Sequence, residues 1–160
     1  MNASRYAWAA ALAVLISATG LASAATGTWT GGSGPWNDSN TDNWGGDPVP
    51  GHLDNAYLTQ SDGNDFVITY DATPLDPNYI EDLVIGNALG TTTLQLDGTD
   101  RLDIRGLDMT AGAILDMTGD ANLNFHGSPT YSDHLDISGG AIINMASTGV
   151  LDTGQSELRN

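Results

Sequence analysis

The sequence predicts an all-β protein, a right-handed parallel β-solenoid with short strands, and two observations lead there. The first is composition, because only Glu81 and Glu157 among the 20 acidic residues are Glu, and 20 Gly accompany them. Asp and Gly favour turns, whereas helices prefer Glu. The second is a short phrase, apolar, polar, apolar, any residue, Gly, which recurs along the second half of the chain.

The phrase recurs with a fixed period. Five of the seven steps between the first residues of its copies are eight residues long; the copies begin at Leu94, Leu102, Leu107, Leu115, Leu123, Leu135, Ile143 and Leu151. A fixed short period indicates a repetitive architecture. Side chains alternate along a strand, so Leu107 and Met109 share a buried face while Asp108 points the other way. Each copy is therefore predicted to be a short strand, with Gly at the corner that follows.

Strands at this spacing fit two architectures. Three of them make one coil of a three-sided parallel solenoid, or they zigzag as an antiparallel meander in a β-sandwich. We favour the solenoid because the repeat corners lack the Asn-Gly and Asp-Gly pairs that tight hairpins prefer, except at Asp97-Gly98. The irregular steps of 5 and 12 residues then predict a shortened coil and a loop at residues 127–133.

Residues 1–24 have the composition of a secretory signal peptide. Arg5 precedes an apolar run, and a stretch of small residues ends at Ala24, after which we expect cleavage. The apolar run is too short to span a membrane, and no second one follows it. We therefore expect a secreted or cell-surface protein without a transmembrane segment in the mature chain. No Cys is present, so disulfides do not contribute to its stability.

Residues 25–160 are predicted to form a single solenoid domain. The part 25–58 is rich in Trp and Gly and is expected to cover the first coil as a cap. Residues 64–87 contain the first strands, at 65–71 and 81–87, and residues 93–154 contain the repeats. Because the chain stops amid repeats, the domain is either a free protein or the N-terminal part of a longer one.

The charge excludes two classes of partner. The formal net charge is −16, and the chain contains no Lys. Such a chain repels nucleic acids and anionic membrane surfaces. Extracellular polysaccharide and other surface components remain as partners, and the sequence does not specify an oligomeric state.

The order of motifs near the N-terminus resembles that of bacterial secreted β-helix proteins. These motifs are Trp29-Thr-Gly-Gly, Trp36-Asn-Asp, Asn43-Trp44, Pro50-Gly51 and Asp54-Asn-Ala. They are similar to the opening block of autotransporter-type passengers and of extracellular proteins with PEP-CTERM sorting signals, where L-x-[LIV]-x-G repeats follow. The resemblance implies a structural or adhesive surface component without catalysis. The second hypothesis is a module that binds extracellular polysaccharide, and the third is a lyase-like enzyme.

Repeated acids at one position of the phrase form a candidate calcium site. They are Asp103, Asp108 and Asp116, with Asp136 and Asp152 at the same position, and Asp100 lies in a G-x-D-x-L segment just before them. Ca²⁺ takes several oxygen ligands, which stacked carboxylates supply. The favoured alternative is a solvated acidic face that holds no ion.

Aromatic residues form a candidate glycan site. Trp29, Trp36, Trp44 and Tyr57 would offer flat faces to sugar rings if they were exposed. The favoured alternative is that the Trp side chains cap the open end of the solenoid, because a solenoid needs its terminal apolar surface covered.

Catalytic residues are sparse. His52, His126 and His134 have no metal-binding spacing and are expected at the surface, and no G-x-S-x-G motif is present. A polysaccharide lyase would need Arg101 or Arg105 as its base, with Asp100 or Asp103 holding Ca²⁺. We therefore expect no catalytic residues and no cofactor other than a candidate Ca²⁺.

Overall fold

The computed structural model describes residues 24–37, 41–71, 80–125, 134–145, 150–152 and 157–159. The expected signal peptide up to residue 23, the loop at 127–133 and His126 lie outside these residues. Within the described part, the chain forms thirteen strands and one short 3-10 helix, Thr41–Trp44, and contains no α-helix.

The first seven strands run from the cap region into the repeats: β1 Thr26–Thr28, β2 Gly34–Pro35, β3 Asn55–Gln60, β4 Phe66–Tyr70, β5 Ile80–Asn87, β6 Thr92–Leu96 and β7 Arg101–Met109. The other six complete the repeats: β8 Ala113–Met117, β9 Asn122–Phe125, β10 His134–Ile137, β11 Ile142–Met145, β12 Val150–Asp152 and β13 Glu157–Arg159. The strands predicted at 65–71 and 81–87 correspond to β4 and β5.

The strands stack into coils with three sides. The first face contains β1, β3, β5, the second half of β7, β10 and β13; the second face contains β2, β4, β6, β8 and β11; the third face contains the first half of β7, β9 and β12. Strand pairs on all three faces are parallel. The protein is thus a right-handed β-solenoid of about 4 turns. The solenoid prediction is confirmed, and the antiparallel sandwich is wrong because these pairs are parallel.

The register explains the eight-residue phrase. Leu94 pairs with Leu115, and Leu115 with Ile143, so successive copies of the phrase occupy different faces and every third copy returns to the same one. The step of 5 residues falls within β7. This strand passes from the third face, where Leu102 pairs with Leu123, to the first face, where Leu107 pairs with Leu135, without an intervening turn. The coil is therefore shortened because one strand continues from the third face to the first, with no turn residues between them.

The core consists of the inward residues of the three faces. Leu102, Leu107, Leu115 and Leu123 are at most 1% exposed, and burying each such side chain contributes roughly 1.5–3 kcal/mol. Gly98 and Gly119 occupy the same corner of successive coils with φ of 62° and 63°. Because an L side chain rarely adopts this backbone conformation, the prediction that Gly forms corners is correct there.

Candidate functional site

The outer surface of the first face carries two adjacent columns of side chains, which we call the inner and outer columns. Parallel register places the outward residue of each strand beside that of the next. The inner column consists of Asn55, Asp82, Gly106 and His134, and the outer column consists of Tyr57, Val84, Asp108 and Asp136. The eight residues come from four strands, β3, β5, β7 and β10, and each strand contributes one residue to each column.

Three polar side chains of these columns meet around Gly106. The His134 Nε2 lies 3.2 Å from Asp108 Oδ1. A Cβ atom at position 106 would collide with the His134 ring and with the Asp82 carboxylate. Gly106 lies inside β7, where the strand passes from the third face to the first without a turn, and its lack of a side chain makes room for this cluster. The cluster joins three successive coils, because Asp82, Asp108 and His134 belong to β5, β7 and β10.

Sequence reasoning did not find this cluster. His134 follows Asp82 by 52 residues, and only the register of the coils brings the two together. His134 was expected at the surface, and its side chain is 45% exposed. The available signal was Gly106 itself. The repeat predicts a turn after this glycine, but the next phrase begins at once with Leu107 and the strand continues.

The surface of the first face is acidic. Asp82, Asp108 and Asp136 all point outward there, and His134 is the one basic group among the described side chains of the two columns. In register, Glu157 is the partner of His134, and Arg159 is the partner of Asp136. The formal charges of Glu157 and Arg159 are opposite and cancel. The excess of carboxylates therefore favours a positively charged partner on this face.

The structure distributes the predicted calcium ligands over the molecule. Asp103 lies on the third face beside Asn124, Asp108 on the first face, and Asp116 on the second face beside Gln95. The single acidic column expected from the sequence is therefore three separate columns, because a coil contains three copies of the phrase. Among the described residues, no group of three or more His, Cys, Asp or Glu is arranged to hold a metal ion.

Hydrogen bonds within the protein occupy several of these oxygens. The Asp103 Oδ1 accepts hydrogen bonds from the Arg101 guanidinium and, at 2.6 Å, from Asn124 Nδ2. Asp100 lies at a corner, where its Oδ2 accepts a hydrogen bond of 3.0 Å from the backbone N–H of Asp97. These two carboxylates fix local structure, as turn and cross-strand partners do.

Both candidate basic residues of a lyase are in ion pairs. Arg101 Nη2 lies 2.9 Å from Asp103 Oδ1. Arg105 Nη1 donates to both carboxylate oxygens of Glu81, at 2.9 and 2.8 Å, across neighbouring strands. A proton-abstracting role for either arginine would first require release from its carboxylate.

The three candidate tryptophans are buried rather than exposed. Trp29, Trp36 and Trp44 are at most 1% exposed. Trp44 packs edge-on against both of the others, and Gly27 of β1 lies against Trp44 and Pro50. These indoles therefore offer no open face to a sugar ring. The structure contradicts an exposed aromatic platform at the three tryptophans, and their burial agrees with the alternative that they cap the solenoid. Tyr57 lies apart from them, half-buried and pointing outward in the outer column.

Tyr70 connects the cap to the second face. Its ring lies 5.5 Å from that of Trp36, centroid to centroid, and its strand β4 pairs with β6. Burial raises the pKa of Tyr70 to about 12, and the charges of Asp103, Asp100 and Asp71 act in the same direction. The phenol therefore stays protonated well above its ordinary pKa and serves as a packing group.

Comparisons with known proteins do not assign a function. Within the described residues, no helix is both long and apolar enough to cross a membrane. No family model, no curated protein and no solved structure matches the chain. The function is therefore inferred from the side chains on the outer faces of the solenoid.

Proposed function

We propose that this chain is a structural or adhesive component of the bacterial exterior, secreted or held at the cell surface, and that it acts without catalysis. The observation that supports the proposal is the spread of polar side chains over the outer surfaces of the three faces. Asp103, Asp108 and Asp116 lie on different faces, and their neighbours in register are mostly other polar residues. Such an arrangement suits repeated contacts along a surface better than chemistry at one point.

Catalysis would need groups that converge on a reacting atom at about 3 Å from each of them. The three-residue cluster at Gly106 is the strongest convergence on the first face, and it is open to solvent, with Asp108 and His134 side chains 41% and 45% exposed. Water reaches both side chains, whereas closed active sites exclude it. This geometry supports contact rather than reaction.

The proposed location rests on the sequence. The composition of residues 1–24 and the absence of Cys fit an exported chain that does not depend on disulfides. The resemblance of the Trp29 to Ala56 motifs to secreted β-helix proteins supports the same location. The net charge of −16 would keep copies of the chain soluble and apart from one another.

Expression of residues 1–160 in a bacterial host tests this proposal. We expect the chain in the exported fraction with its N-terminus at Ala25, as measured by mass spectrometry. Beads coated with the exported protein should be retained on cell-wall or matrix material under flow. Retention equal to that of beads coated with an unrelated acidic protein, or release of unsaturated or reducing sugars from matrix polysaccharide, would contradict the proposal.

A further inference from the structure

We infer that the outer surface of the first face binds an extended polysaccharide that bears protonated amino groups, with the polymer lying along the solenoid axis. This inference rests on the proposed adhesive function and names the partner's chemical class. Its basis is the spacing, the side-chain cover and the charge of the inner and outer columns.

The geometry provides one contact per coil. Tyr57, Val84, Asp108 and Asp136 succeed one another in register on strands β3, β5, β7 and β10. Neighbouring strands lie about 4.8 Å apart, which is close to the advance per ring of an extended polysaccharide. A polymer that runs across the strands therefore meets an equivalent position at each ring. A polymer that runs along one strand would meet only two or three outward side chains.

Two glycines of the first face are covered by side chains from the next coil. Gly86 and Gly106 are both buried positions on the first face. A Cβ at position 86 would collide with the Thr110 hydroxyl, and one at position 106 would collide with the His134 ring. In both places the side chain of the following coil leans back over the glycine. These two side chains fill the space over the glycines, and the half-buried Tyr57 and Val84 offer apolar contact to the C–H faces of the rings.

The charge selects the kind of polysaccharide. Asp82 is half-buried and points outward on β5, and Asp136 is exposed to solvent on β10. Ammonium groups donate to carboxylates in hydrogen bonds that are stronger than those between neutral groups. A polyuronate would instead place negative charges against Asp82, Asp108 and Asp136, and like charges in contact are unfavourable.

The other two faces fit such a ligand less well. On the second face, one outward column is Val67, Thr93, Ile114 and Ile142, and the column beside it, Thr69, Gln95, Asp116 and Asn144, contains a single carboxylate. On the third face, Asp103 is already paired with Arg101 and Asn124. The first face thus has three outward carboxylates, with Tyr57 and Val84 in the same two columns.

Co-sedimentation of the full chain with insoluble polysaccharides tests the inference. The probes are a partially deacetylated β-linked hexosamine polymer, its fully acetylated form and a polyuronate. We expect binding to the amine-bearing polymer and little to the other two. The double variant Asp82→Asn with Asp136→Asn should lose about tenfold or more in affinity, because each replaced carboxylate removes a charge-assisted contact.

The matched control has the same change in net charge elsewhere. Asp116→Asn on the second face with Asp47→Asn in the cap should bind within about twofold of the unaltered chain. An equal loss of affinity in both double variants would show that net charge alone attracts the polymer, and it would overturn the inference. Equal binding of the acetylated polymer, or of polylysine with the same dependence on Asp82 and Asp136, would also overturn it. If the Asp82 and Asp136 variant binds the amine-bearing polymer as tightly as the unaltered chain does and still retains beads on matrix material, the proposed adhesive function stands while this inference falls.

Discussion

The indole N–H of Trp44 donates a hydrogen bond of 2.9 Å to the backbone carbonyl of Trp36, and the two ring centroids lie 4.8 Å apart at an interplanar angle of 72°. Trp29 meets Trp44 on another side, edge-on, with centroids 5.1 Å apart. Edge-to-face pairs of this kind are favourable beyond the area that they bury. The three rings with their hydrogen bond form the packed cap against β1.

Trp44→Phe tests the cap. The substitution removes the donor to Trp36 and leaves a cavity beside Trp29, so the free energy of unfolding should fall by about 2–4 kcal/mol. Denaturant unfolding followed by circular dichroism measures this change. Tyr57→Phe is the control, because its half-buried ring points outward; its effect should stay below about 1 kcal/mol. If both variants have the stability of the unaltered chain, the indole cluster does not stabilise the fold.

Gly106→Ala tests the cluster on the first face. Its methyl group would displace the His134 ring and the Asp82 carboxylate, and we expect a loss of about 1–3 kcal/mol in the free energy of unfolding. Adding His134→Ala should recover part of that loss, because it removes one of the two colliding groups. A double-mutant cycle from thermal or denaturant unfolding measures the coupling. Additive effects of the two substitutions would show that His134 does not lie over Gly106.

Gly98→Ala provides a contrasting case at a corner. Nothing lies within 4 Å of a Cβ at this position, but the φ is 62°. The expected cost is therefore backbone strain alone, roughly 1–2 kcal/mol, and no side-chain deletion nearby should relieve it. Relief of this cost by His134→Ala would contradict the distinction between the two glycines.

Tyr70 gives the protein a dependence on alkaline pH. Its pKa is about 12 in the folded state and about 10 when unfolded. Between these values the unfolded chain has released the proton and the folded chain still holds it, so stability falls as the pH rises. The total loss is about 2–3 kcal/mol, and it is absent below the unfolded pKa. Tyr70→Phe should flatten this part of the stability curve, measured by denaturant unfolding from about pH 9 to 12; an unchanged slope would contradict the assignment.

Asn87 fixes the corner between the first and second faces. Its side chain is 2% exposed; Nδ2 donates to the Asn64 carbonyl at 2.9 Å, and Oδ1 accepts from the backbone N–H groups of Leu89 and Gly90 at 3.1 and 2.9 Å. Asn87→Ala should cost about 2–3 kcal/mol in the free energy of unfolding. Asn144→Ala, at an exposed position of β11, should cost less than about 0.5 kcal/mol. A similar small cost at both positions would show that this corner does not need Asn87.

The sequence predicted the architecture because the repeat carries its own register. The spacing of Leu94, Leu102 and Leu107 gave three strands per coil, and the corners at Gly98 and Gly119 were recognisable from the Gly in the phrase. The sandwich alternative stayed open because strand direction leaves little trace in a short apolar phrase. The parallel pairs of the structure decide between the two.

The site was harder to predict for a physical reason. Eight residues separate Asp108 from Asp116, yet the two lie on different faces, whereas Asp82 and His134, 52 residues apart, share one column. Two residues lie in the same column of a solenoid when whole coils separate them in the chain, not when one repeat does. The acidic column inferred from the repeat therefore divided into three, and the cluster at Gly106 had no sequence motif to reveal it.

The most direct test of the account is a cross-link between successive coils of the first face, since the chain has no native Cys. Val84 and Asp108 are partners in register on β5 and β7, and neighbouring strands lie about 4.8 Å apart, within the range of a disulfide. Val84→Cys with Asp108→Cys should therefore form an intramolecular disulfide under mild oxidation, detected by mass spectrometry of a proteolytic digest. Asp108→Cys with Asp116→Cys, on different faces, should not. A cross-link in the second pair and none in the first would contradict the parallel coils and the face that they build.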